Sequence, residues 1–99
     1  MAKIALISSK CIATELFIES ALAHAKERLI DIEIELRRDG DFENIDSYDF
    51  VLVSPQLRYL LNMNETFARM DSRRIKVISS RDYGRLKGEV VLDLVSPWL

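Results

Sequence analysis

The chain has 99 residues, 48% apolar and 30% charged, with three glycines and two prolines; that balance excludes collagen-like, low-complexity and disordered chains and suits one hydrophobic core. A single domain over residues 1–99 is expected. Fourteen Lys and Arg against sixteen Asp and Glu leave a net charge of −2, without the basic excess of a nucleic-acid binder. One cysteine, Cys11, and one histidine, His24, provide neither an internal disulfide nor the roughly four ligands of a tetrahedral site, so no metal and no cofactor are expected. The longest apolar runs, Ile4–Ile7 and Phe50–Val53, fall far short of the roughly 20 residues of a membrane span. The N-terminus also lacks the apolar core and cleavage site of a signal peptide. The expectation is a cytoplasmic protein with no direct membrane insertion.

Residues 3–8 read as a short strand covered on both faces, and residues 12–29 as an amphipathic helix. At 100° per residue Thr14, Phe17, Ile18, Ala21, Leu22, Ala25 and Leu29 share one stripe, with Glu15, Glu19 and Lys26 opposite. His24 lies at the border of that stripe. Ile12 and Leu16 fall outside it, near the helix start, where exposed apolar side chains suit a docking partner. Strict alternation from Ile30 to Leu36 predicts an edge strand with one wet face, ended by Gly40, and a short helix follows near 42–47. Phe50–Val53 is a second fully covered strand. Ser54 as N-cap and Pro55 at the first helical position then open a helix that turns Leu57, Leu60, Leu61, Phe67 and Ala68 inward. Ile75–Ile78, interrupted by Lys76, reads as the other edge strand, and residues 85–95, with Leu86, Val90, Val91, Leu94 and Val95, as the last helix.

Two covered strands flanked by two half-exposed ones predict an α/β fold: a four-stranded parallel sheet in the order 2-1-3-4, with helices on both faces and right-handed crossovers. Such sheets take ligands at the carboxyl ends of their strands, where the winding reverses. That point gathers Ser8–Thr14, Ser54–Arg58 and Ser79–Tyr83. Gln56 and Arg58 either orient an anion through an amide and a guanidinium or belong to a helix-capping surface turn, and Ser79, Ser80 and Arg81 are open in the same way. The cations Arg69, Arg73, Arg74, Lys76, Arg81, Arg85 and Lys87 either steer an acidic partner or form a solvated face.

Three stretches, Ile4-Ala-Leu-Ile-Ser8-Ser-Lys-Cys11-Ile-Ala-Thr14-Glu15, Val51-Leu-Val-Ser-Pro55-Gln56-Leu-Arg-Tyr59 and Val77-Ile-Ser-Ser-Arg-Asp-Tyr83-Gly84, together resemble the IIB components of the lactose/cellobiose family of bacterial sugar phosphotransferase systems. The family has a loop Cys-x-x-Gly-x-x-Thr/Ser-Ser after its first strand, Gly-Pro-Gln after its third and a Tyr-Gly turn after its fourth. The resemblance implies a three-layer IIB-type sandwich and a phosphocarrier, which accepts a phosphoryl group from a histidine of a IIA phosphodonor and passes it to sugar at a membrane IIC transporter. In register, Ser8 stands at the position of the acceptor cysteine, Cys11 at that of the loop glycine, Thr14 keeps the threonine and Glu15 replaces the serine. The resemblance therefore implies Ser8 as acceptor, Ser9, Lys10, Ile12, Ala13 and Thr14 as the phosphate-binding loop, and Gln56 and Tyr83 as supporting residues. Cys11 is an alternative nucleophile, a small buried apolar residue or an exposed but unused thiol. Because serine is a weak nucleophile without an adjacent base, the competing reading is a IIB-like binding or regulatory module that has lost phosphotransfer.

Overall fold

In the structure, a computed structural model, residues 2–8, 12–38, 44–59, 61, 69–71 and 73–96 are described. The two apolar runs become the middle of a parallel sheet. β1 (Ala2–Ile7) pairs with β2 (Ile32–Arg37) on one side and β3 (Phe50–Val53) on the other, and β3 pairs with β4 (Ile75–Val77), giving the order β2-β1-β3-β4. That is the predicted topology. Residues 4–7 of β1 and all of β3 are buried, as strands covered on both faces must be. Along β2, Ile32 is buried and Ile34 and Leu36 are half-buried while Glu33 and Glu35 are exposed, and Lys76 is exposed on β4; both are edges.

One face of the sheet carries α1 (Ile12–Glu27), which buries Thr14, Phe17, Ala21 and Ala25, and α3 (Glu89–Val95), which buries Val91, Leu92 and Val95. These apolar side chains form one cluster with Ile4, Leu6, Phe50 and Leu52. The opposite face packs Ala5, Ile7, Val51 and Val53 against Ile45, Tyr48 and Leu57, with Leu61 and Met70 at the margin. Ile45 belongs to a 3₁₀ turn, Ile45–Ser47, where the short helix near 42–47 was expected, and Leu57 to a second, Pro55–Leu57. The helix expected to run on from Pro55 is thus a 3₁₀ turn at its start. Leu61 is helical, whereas Leu60, Phe67 and Ala68, like Gly40, lie outside the described residues.

Two further expectations need correction. Leu29, placed on the inward stripe, lies beyond the end of α1, 93% exposed and at φ 57. The Ile30 N–H donates to the Ala25 carbonyl (2.9 Å) and the Leu29 N–H to the Lys26 carbonyl (3.2 Å). This is the Schellman closure, with leucine where glycine is usual. The helix predicted over 85–95 forms only from Glu89, as α3, and a short helix that was not expected, α2 (Ser80–Gly84), precedes it. Leu86, at φ 56, ends α2 in the same way, with the Lys87 N–H on the Asp82 carbonyl (3.0 Å) and its own N–H on the Tyr83 carbonyl (3.1 Å). Tyr83-Gly84, expected as a turn, is the last part of α2.

A left-handed residue other than glycine costs roughly 1–2 kcal/mol, of which glycine returns up to about 1 kcal/mol through its freer unfolded chain. Leu29→Gly should therefore stabilise the fold by about 0.5–1 kcal/mol, because its side chain is almost wholly in solvent. At about 4–8 °C per kcal/mol for a domain of this size, thermal unfolding followed by circular dichroism should show a Tm about 2–8 °C higher.

Candidate functional site

β1 ends at Ile7, but the ladder continues: the Ser8 N–H donates to the Arg37 carbonyl (3.1 Å) and the Ser54 N–H to the Ile7 carbonyl (3.0 Å). Side chains alternate along a strand, and the alternation decides which face each serine shares. Ile4 and Leu6 on β1, and Phe50 and Leu52 on β3, point to the face covered by α1 and α3, whereas Ala5, Ile7, Val51 and Val53 point away. Ser8 and Ser54, next in each series, fall side by side on the α1 face. Both are buried, at 2% and 1% exposure.

The Ser8 hydroxyl is one corner of a triangle. Its Oγ lies 3.2 Å from Thr14 Oγ1 and 3.0 Å from Tyr83 Oη, and those two oxygens are 2.5 Å apart. Each hydroxyl carries one proton and accepts at its lone pairs, so each can donate once around the ring. Thr14 arrives in the first turn of α1 because position 14 begins its inward stripe. Tyr83 arrives on α2, whose start is held by Ser79: the Asp82 N–H donates to Ser79 Oγ (3.2 Å), and the Ser79 hydroxyl donates to the Asp82 carboxylate (2.9 Å). The Tyr83 ring packs on Phe17 at a centroid distance of 5.3 Å, tilted by 59°, which fixes the phenol from below. Among the described residues neither an imidazole nor a carboxylate bonds to Ser8.

Ser54 differs from its neighbours. It occupies the N-cap position ahead of Pro55, yet its side chain makes no capping bond, and among the described residues its buried Oγ has no hydrogen-bond partner. The expected capping role is therefore not met. A buried hydroxyl left without a partner costs about 1–3 kcal/mol. The sequence places Ser54 both at the cap and in the segment Ser54–Arg58 at the ligand end of the sheet; it follows the second covered strand just as Ser8 follows the first, and the second placement is the one that holds.

The remaining candidates are spread around this core. Ile12, 75% exposed, and Ala13 form the outer side of the first turn of α1, while Ser9, Lys10 and Cys11 lie outside the described residues. Gln56 and Arg58 are exposed beyond β3. Leu16 is exposed beside Ile12, as expected for the outer face of α1. His24 is half-buried, with Nδ1 3.7 Å from Glu27. Two of the cations have local work: the Arg73 guanidinium beside Asp71 (2.8 Å) holds that carboxyl down to about 2, and Arg74 donates to the Tyr48 and Asp49 carbonyls. They brace the chain entering β4.

The chain matches the family model of the lactose/cellobiose-specific IIB subunit of the phosphotransferase system over residues 3–94. It belongs to that family. This IIB chain is similar to the solution structure of the cellobiose-specific phosphotransferase IIB component protein of Borrelia burgdorferi, with a TM-score of 0.76 and 26% identity over 97% of this chain and 89% of that one. It shares its fold with the lactose-specific IIB component domain of Streptococcus pneumoniae, with a TM-score of 0.74 and 13% identity over 99% of this chain and 98% of that one. A comparison with curated protein sequences finds no significant match. The protein is thus a IIB component of a sugar phosphotransferase system, and the hydroxyl triangle lies at the carboxyl end of the sheet of this IIB domain.

Proposed function

We propose that this IIB chain, acting as a single cytoplasmic domain, relays a phosphoryl group from the phosphohistidine of a IIA donor to sugar held by a membrane IIC partner. The observation that carries this reading is the family match over residues 3–94. Ser8 is the proposed acceptor. The phosphorus–nitrogen bond of the donor breaks, a phosphorus–oxygen bond forms to Ser8 Oγ, and the hydroxyl proton passes to the freed imidazole. The first N–H groups of a helix have no acceptor within it, and its positive dipole end favours an anion; α1, beginning at Ile12, offers both to a group on Ser8. Residues Ser9, Lys10, Ile12, Ala13 and Thr14 form the proposed cradle. Tyr83 and Thr14 position the Ser8 hydroxyl before transfer and remain paired when it turns outward, and Gln56 supports from the rim. Exposed Ile12 and Leu16 supply apolar surface to a docking protein. Among the described residues no helix is long and apolar enough to cross a membrane.

Intact-protein and peptide mass spectrometry after incubation with a phosphorylated IIA protein tests the reading. A single phosphate on Ser8 is expected, lost in Ser8→Ala and retained in Cys11→Ala. Label that survives Ser8→Ala and disappears with Cys11→Ala moves the acceptor to Cys11. A chain that binds the donor and stays unmodified is the binding or regulatory module instead.

A further inference from the structure

The hydroxyls of Ser8, Thr14 and Tyr83 satisfy one another, whereas Ser54 Oγ, buried on the same sheet face, has no hydrogen-bond partner among the described residues. Its burial at 1% puts it out of reach of bulk solvent. Neighbouring strands lie about 4.8 Å apart, so the side chain of Ser54 stands one strand spacing from that of Ser8. The N-terminal turn of α1, a helix of 16 residues, adds N–H groups that have no acceptor within the helix. An unused hydroxyl donor and a helix N-terminus thus converge on the end of β1. Ser54 also stands where the resembled family has the glycine of Gly-Pro-Gln, so this donor is a property of this chain.

We propose that the Ser54 hydroxyl binds a tetrahedral oxyanion of the phosphate class, held between the ends of β1 and β3 and the N-terminus of α1. The inference rests on the phosphocarrier reading for one point only, that the anion arrives as a phosphoryl group on Ser8. When Ser8 Oγ turns away from Thr14 and Tyr83 to carry that group, a phosphoryl oxygen comes within reach of Ser54, whose O–H donates to it. The hydroxyl that is unpaired in the resting fold is then paired in the loaded one. A hydrogen bond to an ionised acceptor is stronger than one between neutral groups, so the phosphorylated form gains what the resting form lacks.

The test uses the full chain, titrated with inorganic phosphate at fixed pH and ionic strength, with Tm as the readout. A ligand that binds only the folded state raises Tm with concentration. The parent should respond to phosphate. Ser54→Ala should unfold at a higher temperature than the parent without phosphate, since the orphaned hydroxyl is gone, and should need at least about tenfold more phosphate for the same response. Equal phosphate responses in parent and variant, or none in the parent, overturn the inference. Labelling both proteins with the phosphorylated IIA donor separates it from the phosphocarrier reading. Ser8 labelled equally well in both, with equal phosphate responses, overturns the role of Ser54 and leaves the carrier intact. A Ser54-dependent phosphate response with no donor labelling supports the oxyanion site and removes the carrier function.

Discussion

Gly88→Ala is expected to lower Tm by about 12 °C or more, enough to leave a substantial unfolded fraction on mild heating. A Cβ at Gly88 would lie 2.1 Å from the backbone nitrogen of Ala21, 2.6 Å from the carbonyl carbon of Ser20 and 2.7 Å from the Cα of Ala21. These are backbone atoms in the middle of α1, so no side chain can move aside to admit the methyl. The segment between α2 and α3 must retreat from α1, opening the contact that seats Val91, Leu92 and Val95 in the core and stretching the bond from the Gly88 N–H to Ser20 Oγ (3.1 Å). Overpacking a tight site costs about 1–3 kcal/mol and more where the backbone must shift; at about 3 kcal/mol and 4–8 °C per kcal/mol, the expected loss follows. Gly84→Ala is the internal control. It lies within α2 and has nothing within 4 Å of an added Cβ, so helix propensity alone should leave it neutral or more stable by up to about 1 kcal/mol. Chemical denaturation of the two variants beside the parent measures the difference.

The second large effect concerns chemistry. Ser8→Cys should accept a phosphoryl group from a phosphorylated IIA donor on the order of 10²-fold faster than the parent, because a serine without a general base forgoes a factor of about 10²–10⁴. The thiolate needs no base. At the end of β1 it would also accept hydrogen bonds from Thr14 Oγ1 and Tyr83 Oη, now 3.2 and 3.0 Å from Ser8 Oγ, and it would lie near the N-terminus of α1. Both favour the anion and lower its pKa. Quenched time courses read by mass spectrometry give the two rates. The adducts should differ as well, the phosphoserine of the parent surviving acid and the thiophosphate of Ser8→Cys remaining labile. Equal rates would mean that accessibility, and not nucleophilicity, limits acceptance at this position.

Much of the architecture was legible because it is encoded by local hydrophobic pattern. Covered strands at Ile4–Ile7 and Phe50–Val53, an alternating edge at Ile32–Leu36 and a broken one around Lys76 leave one economical arrangement, and β2-β1-β3-β4 is what forms. Of the stripe read at helical period, Thr14, Phe17, Ala21 and Ala25 are buried and Ile18 is half-buried, whereas Leu22 is 39% exposed and Leu29 lies beyond the helix. The helix ends were not legible. Leu29 and Leu86 adopt φ near 57° with no glycine to announce it, so the periodic pattern ran through the first, and around the second it began the last helix at residue 85 and passed over α2. Their left-handed conformation is repaid by contacts made elsewhere: Ile30 and Leu86 pack on the main core cluster, and Gly88 reaches α1.

At the carboxyl end of the sheet the same division holds. Sequence by itself determined that Ser8, Thr14, Ser54 and Tyr83 come to one region, since each follows or opens an element whose place in the sheet is set by its pattern of burial. Only the tertiary structure decided that Ser8, Thr14 and Tyr83 close into a ring of hydroxyls while Ser54 finds no partner among the described residues. Periodicity reports which face a side chain occupies. Hydrogen bonding depends on whether atoms from β1, α1, β3 and α2 arrive within about 3 Å of one another, and that is settled by how the elements pack.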